Sequence, residues 1–360
     1  MRPQARAALP LITFVTGTRE MWGAEASLLE LARGLRAVGG ARVALLTSNS
    51  ELAGVWSTED PSSVSLIDAR PGRFARVGGF VRGLGGVPRG STVVVFDHYL
   101  IPAVVLARPL LTARRVRLVF DLHDSALFSR KRRVYFALIR AFHAVVAVSS
   151  YVLDQVPSGV KGDVVFRPLA DPGRAPRRQA DGATVGIIGQ IAPHKRVAEA
   201  VRIAADAGVE RIVLRGSAPD VVADYLDEVL ERGRALAGAG FAFEGKVPHD
   251  AVLDGVDILL FMNPDEPSGR VVAEAQYAGV VAVVPDRGGV IDFVVDGVTG
   301  IHFDPDDPHA AAELLASVAA DRELRERLAS AALEHARLAY SLERQARTYR
   351  DVVLGQPVAT

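Results

Sequence analysis

The sequence predicts an α/β protein made of two Rossmann-like, doubly wound parallel-sheet domains, and three observations carry that expectation. Short apolar runs of strand length alternate with helical patterns along the chain, the signature of βαβ units. The alternation breaks once, at Asp171-Pro172-Gly173-Arg174-Ala175-Pro176-Arg177-Arg178, where Pro, Gly and charge coincide. The 360 residues, 49 % of them hydrophobic, are enough for two cores at roughly 100–200 residues per domain. The expected division is an N-terminal domain over 1–170, a linker over 171–182, a second domain over 183–339 and a C-terminal helix over 340–360.

In the first half the apolar runs 11–15, 43–46, 93–96, 116–120 and 145–148 read as strands, and 26–38 as the first helix. In the second half the runs are 185–188, 211–214, 241–243, 258–261, 281–284 and 300–303. Between them, 270–278 reads as a helix too apolar to be exposed. Asp304-Pro305-Asp306-Asp307 looks like a turn before a helix, and 313–339 is helical, rich in Ala, Leu, Arg and Glu. The last amphipathic helix, 341–353, carries Tyr349 and Val353 on one side.

Composition excludes several classes. With no Cys there is neither a disulfide framework nor a Cys-ligated metal site. No apolar run reaches the ~20 residues of a membrane span, since 134–148 is broken by Arg140 and His143. The run 9–15 lacks a cleavage site, so no secretory leader is expected, and the expected location is cytoplasmic, with peripheral contact at the inner membrane face at most. Neither a Gly-x-Gly-x-x-Gly after a strand nor a Walker Gly-Lys-Ser/Thr is present, and no nucleic-acid partner is expected. Arg outnumbers Lys 38 to 4, a codon signature of a GC-rich bacterial genome. The net charge of zero hides an asymmetry: residues 1–170 hold 22 Lys and Arg against 12 Asp and Glu, hence +10, and the remainder is −10. A basic first half suits an anionic acceptor or a membrane surface; attraction to an acidic partner domain explains it equally well.

The chemistry centres on Asp265-Glu266-Pro267-Ser268-Gly269-Arg270-Val271-Val272-Ala273-Glu274, a strand-to-helix crossing. Ser268 and Gly269 stand where the helix begins, so free backbone N–H groups and the positive helix end make an anion site. Glu266 and Glu274 add carboxylates, which repel phosphate but accept hydrogen bonds from sugar hydroxyls. That mixture suits a nucleotide sugar; the plain alternative is a pair of helix-capping acids beside a Gly turn. Downstream, Ala278-Gly279 leads into another apolar strand, followed by Asp286-Arg287-Gly288-Gly289-Val290 and Gly297-Val298-Thr299-Gly300.

This ordered set resembles the donor half of retaining GT-B glycosyltransferases of family four, in which two such domains face a cleft. The resemblance implies that Glu266 contacts the donor sugar and Glu274 the ribose. The family usually has Phe where Ser268 stands. Gly189-Gln190-Ile191-Ala192-Pro193-His194-Lys195 resembles the family's Gly-Arg-x-x-x-x-Lys, whose cations neutralise the leaving nucleotide; Lys195 matches and Gln190 replaces Arg. A helix is expected to begin near Lys195, with Arg270 as a substitute cation. Arg215-Gly216-Ser217 and Glu244-Gly245-Lys246-Val247 fall where the family reads the nucleobase and its ribose, which implies donor contacts at Gly216, Lys246 and Val247.

In the first domain, Thr16-Gly17-Thr18-Arg19-Glu20-Met21-Trp22-Gly23-Ala24-Glu25 resembles the family's Gly-Gly-Ala-Glu loop, with Trp22 in place of the first Gly. The implied roles are Gly23 at the donor phosphate and the acceptor, and Arg19, Trp22 and Ala24 at the acceptor; an ordinary turn is the plain alternative. His123, in Asp121-Leu122-His123-Asp124, matches a His that reaches the donor near the reaction centre in the family, and His98 is a candidate for the acceptor site. Arg130-Lys131-Arg132-Arg133 reads as a solvated helix start, with lipid-headgroup or anion binding as the alternative.

The resulting expectation is sugar transfer from a nucleotide diphosphate sugar to a sugar, lipid-linked or natural-product acceptor, with His123, Lys195 and Glu266 at the reaction centre. No metal or other cofactor is expected, since the one Asp-x-Asp, Asp304-Pro305-Asp306, reads as a turn before a helix rather than as a metal clamp. Two alternatives remain: a sugar-nucleotide epimerase or hydrolase of the same fold, and a nucleotide-sugar-binding protein without turnover, suggested by Gln190, Ser268 and Trp22.

Overall fold

The computed structural model describes residues 9–18, 21, 23–67, 73–124, 132–173 and 182–358. Arg19, Trp22, Arg130, Lys131 and most of the linker lie outside the described residues, as do the side chains of Arg132 and Arg133. The chain divides into two compact units, Met1–Ala170 with Leu342–Thr360, and Asp171–Ser341.

The first unit runs β1 (Leu11–Thr16), α1 (Gly23–Val38), β2 (Arg42–Thr47), α2 (Ser50–Glu59), β3 (Val64–Leu66), α3 (Arg73–Gly85), β4 (Thr92–Val95), α4 (Ile101–Ala113), β5 (Arg117–Leu122), α5 (Arg132–Ile139), β6 (Ala144–Ala147), α6 (Ser150–Leu153) and β7 (Gly162–Val164). Its seven strands are parallel, in the order β3-β2-β1-β4-β5-β6-β7. Every residue of β4 and β6 is buried, as an apolar run covered on both faces requires. One apolar cluster gathers Phe80, Val104 and Phe120; another gathers Phe14, Leu31 and Trp56. The edge strands β3 and β7 have no counterpart in the sequence expectation, because each is short and only partly covered.

The second unit runs β8 (Thr184–Ile188), α7 (Val197–Asp206), β9 (Arg211–Arg215), α8 (Ala223–Ala237), β10 (Phe241–Gly245), β11 (Ile258–Leu260), α9 (Arg270–Tyr277), β12 (Val281–Pro285), β13 (Ile301–Phe303), α10 (Pro308–Ala320) and α11 (Arg322–Ala339). Its parallel order is β10-β9-β8-β11-β12-β13. Two expectations are corrected here. The helix expected near Lys195 begins at Val197: Pro193–Lys195 is a single 3-10 turn, and Arg196 takes a left-handed conformation, φ 55°, before the helix. The helical region expected beyond Asp304 divides into two helices, because the Asp321 carboxylate accepts the Leu324 N–H at 2.9 Å and starts a new one.

The last helix, α12 (Leu342–Leu354), belongs to the first unit. It packs on α1, where Leu342 and Ala346 leave no room for a side chain at Gly34, and its Tyr349 ring lies 6.1 Å from that of Phe14. Among the described residues no helix is long and apolar enough to cross a membrane.

Candidate functional site

In a doubly wound sheet ligands bind outside the carboxyl ends of the strands, where the strand order reverses. The second unit reverses between β8 and β11, and there the structure brings predicted residues together. Lys195, from the loop after β8, donates from Nζ to Glu266 Oε2 at 2.6 Å, and Asn263 Nδ2 donates to the same oxygen at 2.9 Å. Glu266 belongs to the loop after β11, so one carboxylate ties the two sides of the switch point. The Gly289 N–H, from the loop after β12, donates to the Glu266 carbonyl at 2.7 Å and braces it from behind. Gly269 caps α9 with φ 68° and is buried; an added Cβ would lie 2.5 Å from Val290 Cγ1, so both conformation and space demand glycine. Ser268 is half-buried beside it.

Glu274 does not join Glu266. Its Oε1 accepts from Arg270 Nε at 2.6 Å within the first turns of α9, and His249 Nε2 stands 3.5 Å away. Arg270 is therefore held by its own helix. On the other side of β8, the loops after β8, β9 and β10 are laced by backbone: the Gly189 N–H donates to the Arg215 carbonyl at 3.0 Å, and that of Gly216 to Gly245 at 2.8 Å. Gly216 approaches so closely that a Cβ would fall 1.8 Å from the Gly189 oxygen, whereas space beside Gly189 is open. Gly189 and Gln190 are exposed, as is Lys246, and Val247 is half-buried. Arg215 is engaged by Glu244 at 2.9 Å and by the carbonyls of Val252 and Asp254.

The first unit reverses between β1 and β4. A cavity of about 330 Å³ opens there, walled by the loops after β1, β4 and β5 and including Ala24, Glu25, His98, His123 and Asp124. Gly23, the first residue of α1, is exposed. Asp97 joins β1 to β4: its Oδ2 accepts from the Gly17 N–H at 2.6 Å, Thr16 Oγ1 at 2.7 Å and Tyr99 OH at 3.2 Å. Thr18 Oγ1 donates to the buried Glu25 at 2.7 Å. His98 has its pKa lowered by burial, partly offset by Asp124 and Asp97. Burial and the Asp97 charge raise that of Tyr99, which stays a donor.

At the end of β5, wholly buried Asp121 takes the Arg167 guanidinium fork to fork and the Tyr349 hydroxyl at 2.6 Å. Burial pushes the Asp121 carboxyl up, but Arg167 outweighs it and holds the pKa at about 2. Burial, then the Asp121 charge, raises the Tyr349 hydroxyl far above its ordinary range, so it remains protonated. His123 faces this group, and its ring stacks on Phe96 with centroids 4.6 Å apart.

Sequence reasoning missed Asp97, Asp121, Arg167, Tyr349 and Asn263 as site residues. For two of them a signal existed: an Asp at the end of an apolar strand is costly to bury unless paired. Arg19 and Trp22, expected at the acceptor, lie outside the described residues. Among the described residues no group of three or more His, Asp or Glu is placed to hold a metal ion.

Comparison with known proteins bears on the second unit and on the fold. Residues 175–335 match the family model for glycosyl transferases group 1. A D-inositol 3-phosphate glycosyltransferase of Nocardioides sp. is 42 % identical over 88 residues, 24 % of this chain and 19 % of that protein. Granule-bound starch synthase 1 of Pisum sativum is 29 % identical over 126 residues, 34 % of this chain and 21 % of that protein. The aligned segments thus span about a fifth of these relatives. Among solved structures, Anabaena HepE in complex with UDP superposes with TM-score 0.80 at 18 % identity, covering 96 % of this chain and 100 % of that one. Sucrose-phosphate synthase from Thermosynechococcus elongatus gives 0.75 at 15 %, covering 96 % and 100 %. The stretch that matches the family model contains Gly189, Lys195, Gly216, Glu266, Gly269 and Glu274 alike, so the switch-point site of the second unit lies within the part of the chain that is similar to glycosyl transferases group 1, and the chain has the GT-B fold.

Proposed function

We propose that the protein is a retaining, metal-independent glycosyltransferase that moves a sugar from a nucleotide diphosphate sugar to a hydroxyl-bearing acceptor. The observation that carries this reading is the meeting of Lys195 and Glu266 across the β8–β11 switch point, beside the glycine-capped start of α9. Breaking the bond from the sugar C1 to the diphosphate leaves negative charge on the departing phosphate. Lys195 Nζ and the amides at the Gly269 helix start are the groups that would meet it, and donors of this kind are worth ~10²–10³ in turnover. Glu266, with Asn263 and Lys195 as partners, would accept from the donor sugar's hydroxyls, and Glu274 from the ribose diol. Open space beside Gly189 lets a phosphate approach the backbone. His123, in the first unit, would reach the donor sugar, and the cavity around His98 and Ala24 would take the acceptor.

The described walls of that cavity carry the carboxylates Glu25, Asp97 and Asp124, besides Asp121, whose charge Arg167 offsets. That pattern favours an uncharged, hydroxyl-rich acceptor end, a sugar or a glycosylated lipid or natural product, over the anionic one that the basic first half suggests. A uridine donor is the first to test, because fold neighbours are bound to UDP and UDP-glucose. The exposed Gln190, where a cation would be expected, keeps a non-catalytic nucleotide-sugar-binding protein as the second reading.

Native mass spectrometry against a panel of UDP-, GDP- and ADP-sugars, followed by donor consumption with and without acceptor extracts, tests both. Binding with acceptor-dependent consumption is expected, unchanged by EDTA. Binding without consumption would favour the second reading. Consumption that needs no acceptor would point to a hydrolase or epimerase, and full loss in EDTA restored by magnesium or manganese would end the metal-independent mechanism.

A further inference from the structure

Stacking on Phe96 fixes the plane of the His123 ring but not which nitrogen carries the proton. Its Nδ1 is buried and faces Asp121 Oδ1 at 3.5 Å, farther than a normal hydrogen bond, with no nearer partner among the described residues. The exposed part of the ring, about a fifth of the side chain, borders the cavity. Behind Nδ1, three distant parts of the chain converge on one carboxylate: Asp121 from β5, Arg167 from the segment after β7, and Tyr349 from α12. The Arg167 guanidinium also lies over the Phe96 ring, 4.9 Å from its centre, so the cation, the carboxylate and the imidazole share one rigid support.

An ionised carboxylate offers only acceptors. A lone pair on Nδ1 would meet it with repulsion, so the neutral imidazole is driven to carry its proton on Nδ1 and to leave Nε2 as an acceptor. Hydrogen bonds of this kind are often long without substrate and tighten in the complex. We propose that Asp121 is a positioning residue for His123: it sets the Nδ1–H tautomer, so that Nε2 accepts a hydrogen bond from a substrate hydroxyl, while Arg167 and Tyr349 hold the carboxylate still. The proposal rests on the reading above, in which His123 reaches the donor sugar.

The test is imidazole ¹⁵N NMR on the ligand-free protein, joined to turnover of UDP-glucose or of the nucleotide sugar that the donor panel selects. Asp121→Asn alone would leave the Arg167 charge buried without a counterion and endanger the fold, so the informative variant is Asp121→Asn/Arg167→Gln, which removes both charges. The native protein should show His123 as the Nδ1–H tautomer above its titration range. In the double variant the tautomer should shift toward Nε2–H, and kcat should fall by about 10²-fold with little change in KM, the size expected for losing one preorganised hydrogen bond made in the transition state. Tyr349→Phe, which keeps the ring packing, should lower kcat less than the double variant and leave the tautomer in place. An Nε2–H tautomer in the native protein, or an Nδ1–H tautomer unchanged in the double variant, would overturn the proposal. His123→Ala with full turnover would instead remove His123 from the reaction, and Asp121's role in it as well, even with the tautomer as expected.

Discussion

At the end of β5 in the first unit, Asp121 and Arg167 form an ion pair buried in the interior; across the β8–β11 switch point of the second, Lys195 and Glu266 form one that stays partly open to water. The Asp121 side chain is 0 % exposed and that of Arg167 9 %, whereas Lys195 and Glu266 stand at 25 % and 15 %. Both pairs are close, but the surroundings decide what each can do. Removing one member of a buried pair strands a charge away from water, so such a pair behaves as scaffold. A partly solvated pair can exchange partners at small cost, since water and an incoming ligand replace what is lost. The second unit thus keeps its cation free to change partners, and the first keeps its carboxylate fixed.

That contrast can be broken most directly by truncating one member of each pair and measuring urea unfolding. Asp121→Ala should cost about 3–5 kcal/mol by leaving Arg167 unpaired in the interior. Lys195→Ala should cost under about 1 kcal/mol. Equal losses would show that solvation does not separate the two pairs. Next in size, Lys195→Ala should lower donor turnover by ~10²–10³ while the fold is kept; normal turnover at saturating donor would remove Lys195 from the leaving-group role.

The buried pair also has a pH signature. Asp121 titrates at about 2 in the folded protein against 3.8 unfolded, so on acidification the unfolded chain takes up the proton first. The stabilisation, about 2 kcal/mol, is complete above about pH 4 and drains away toward pH 2. An acid-unfolding profile in which Asp121→Asn/Arg167→Gln keeps the same slope between those limits would contradict this. The smallest effect belongs to Glu274. Its loss should weaken donor binding by about tenfold, the scale of one charged hydrogen bond, with stability little changed because Arg270 stays near solvent. Calorimetric titration with the donor measures it.

What was legible in the sequence follows the same division. The doubly wound alternation, the Gly-rich crossings and the donor-side residues are local patterns, and Lys195, Glu266, Gly269 and Glu274 lie on short motifs whose chemistry can be read one loop at a time. The pairing of Lys195 with Glu266 needs the strand order, which puts β8 beside β11. The first unit's network was hidden because its members are far apart in sequence: Tyr349 reads only as one face of an amphipathic helix, and Arg167 belongs to no motif. The edge strands β3 and β7 were missed because a short, half-exposed strand has too few covered positions to set a pattern. At Asp321 the opposite holds. The cap was visible as an Asp before a helical run, but strong helix formers on both sides, Ala before it and Arg, Glu and Leu after it, masked the break.

The bond from Tyr349 to Asp121 spans 228 residues of chain, and this gives the first unit a timetable during synthesis. At roughly 5–20 residues per second a ribosome needs roughly 10 to 50 s to add the intervening chain, so the whole second unit emerges while the Asp121 pocket still lacks its tyrosine. Until then α1 also presents an uncovered apolar stripe where Leu342 and Ala346 will pack. A nascent chain stalled before α12 therefore leaves that stripe and the Asp121 pocket uncovered, and adding this helix is the step that seals the first site.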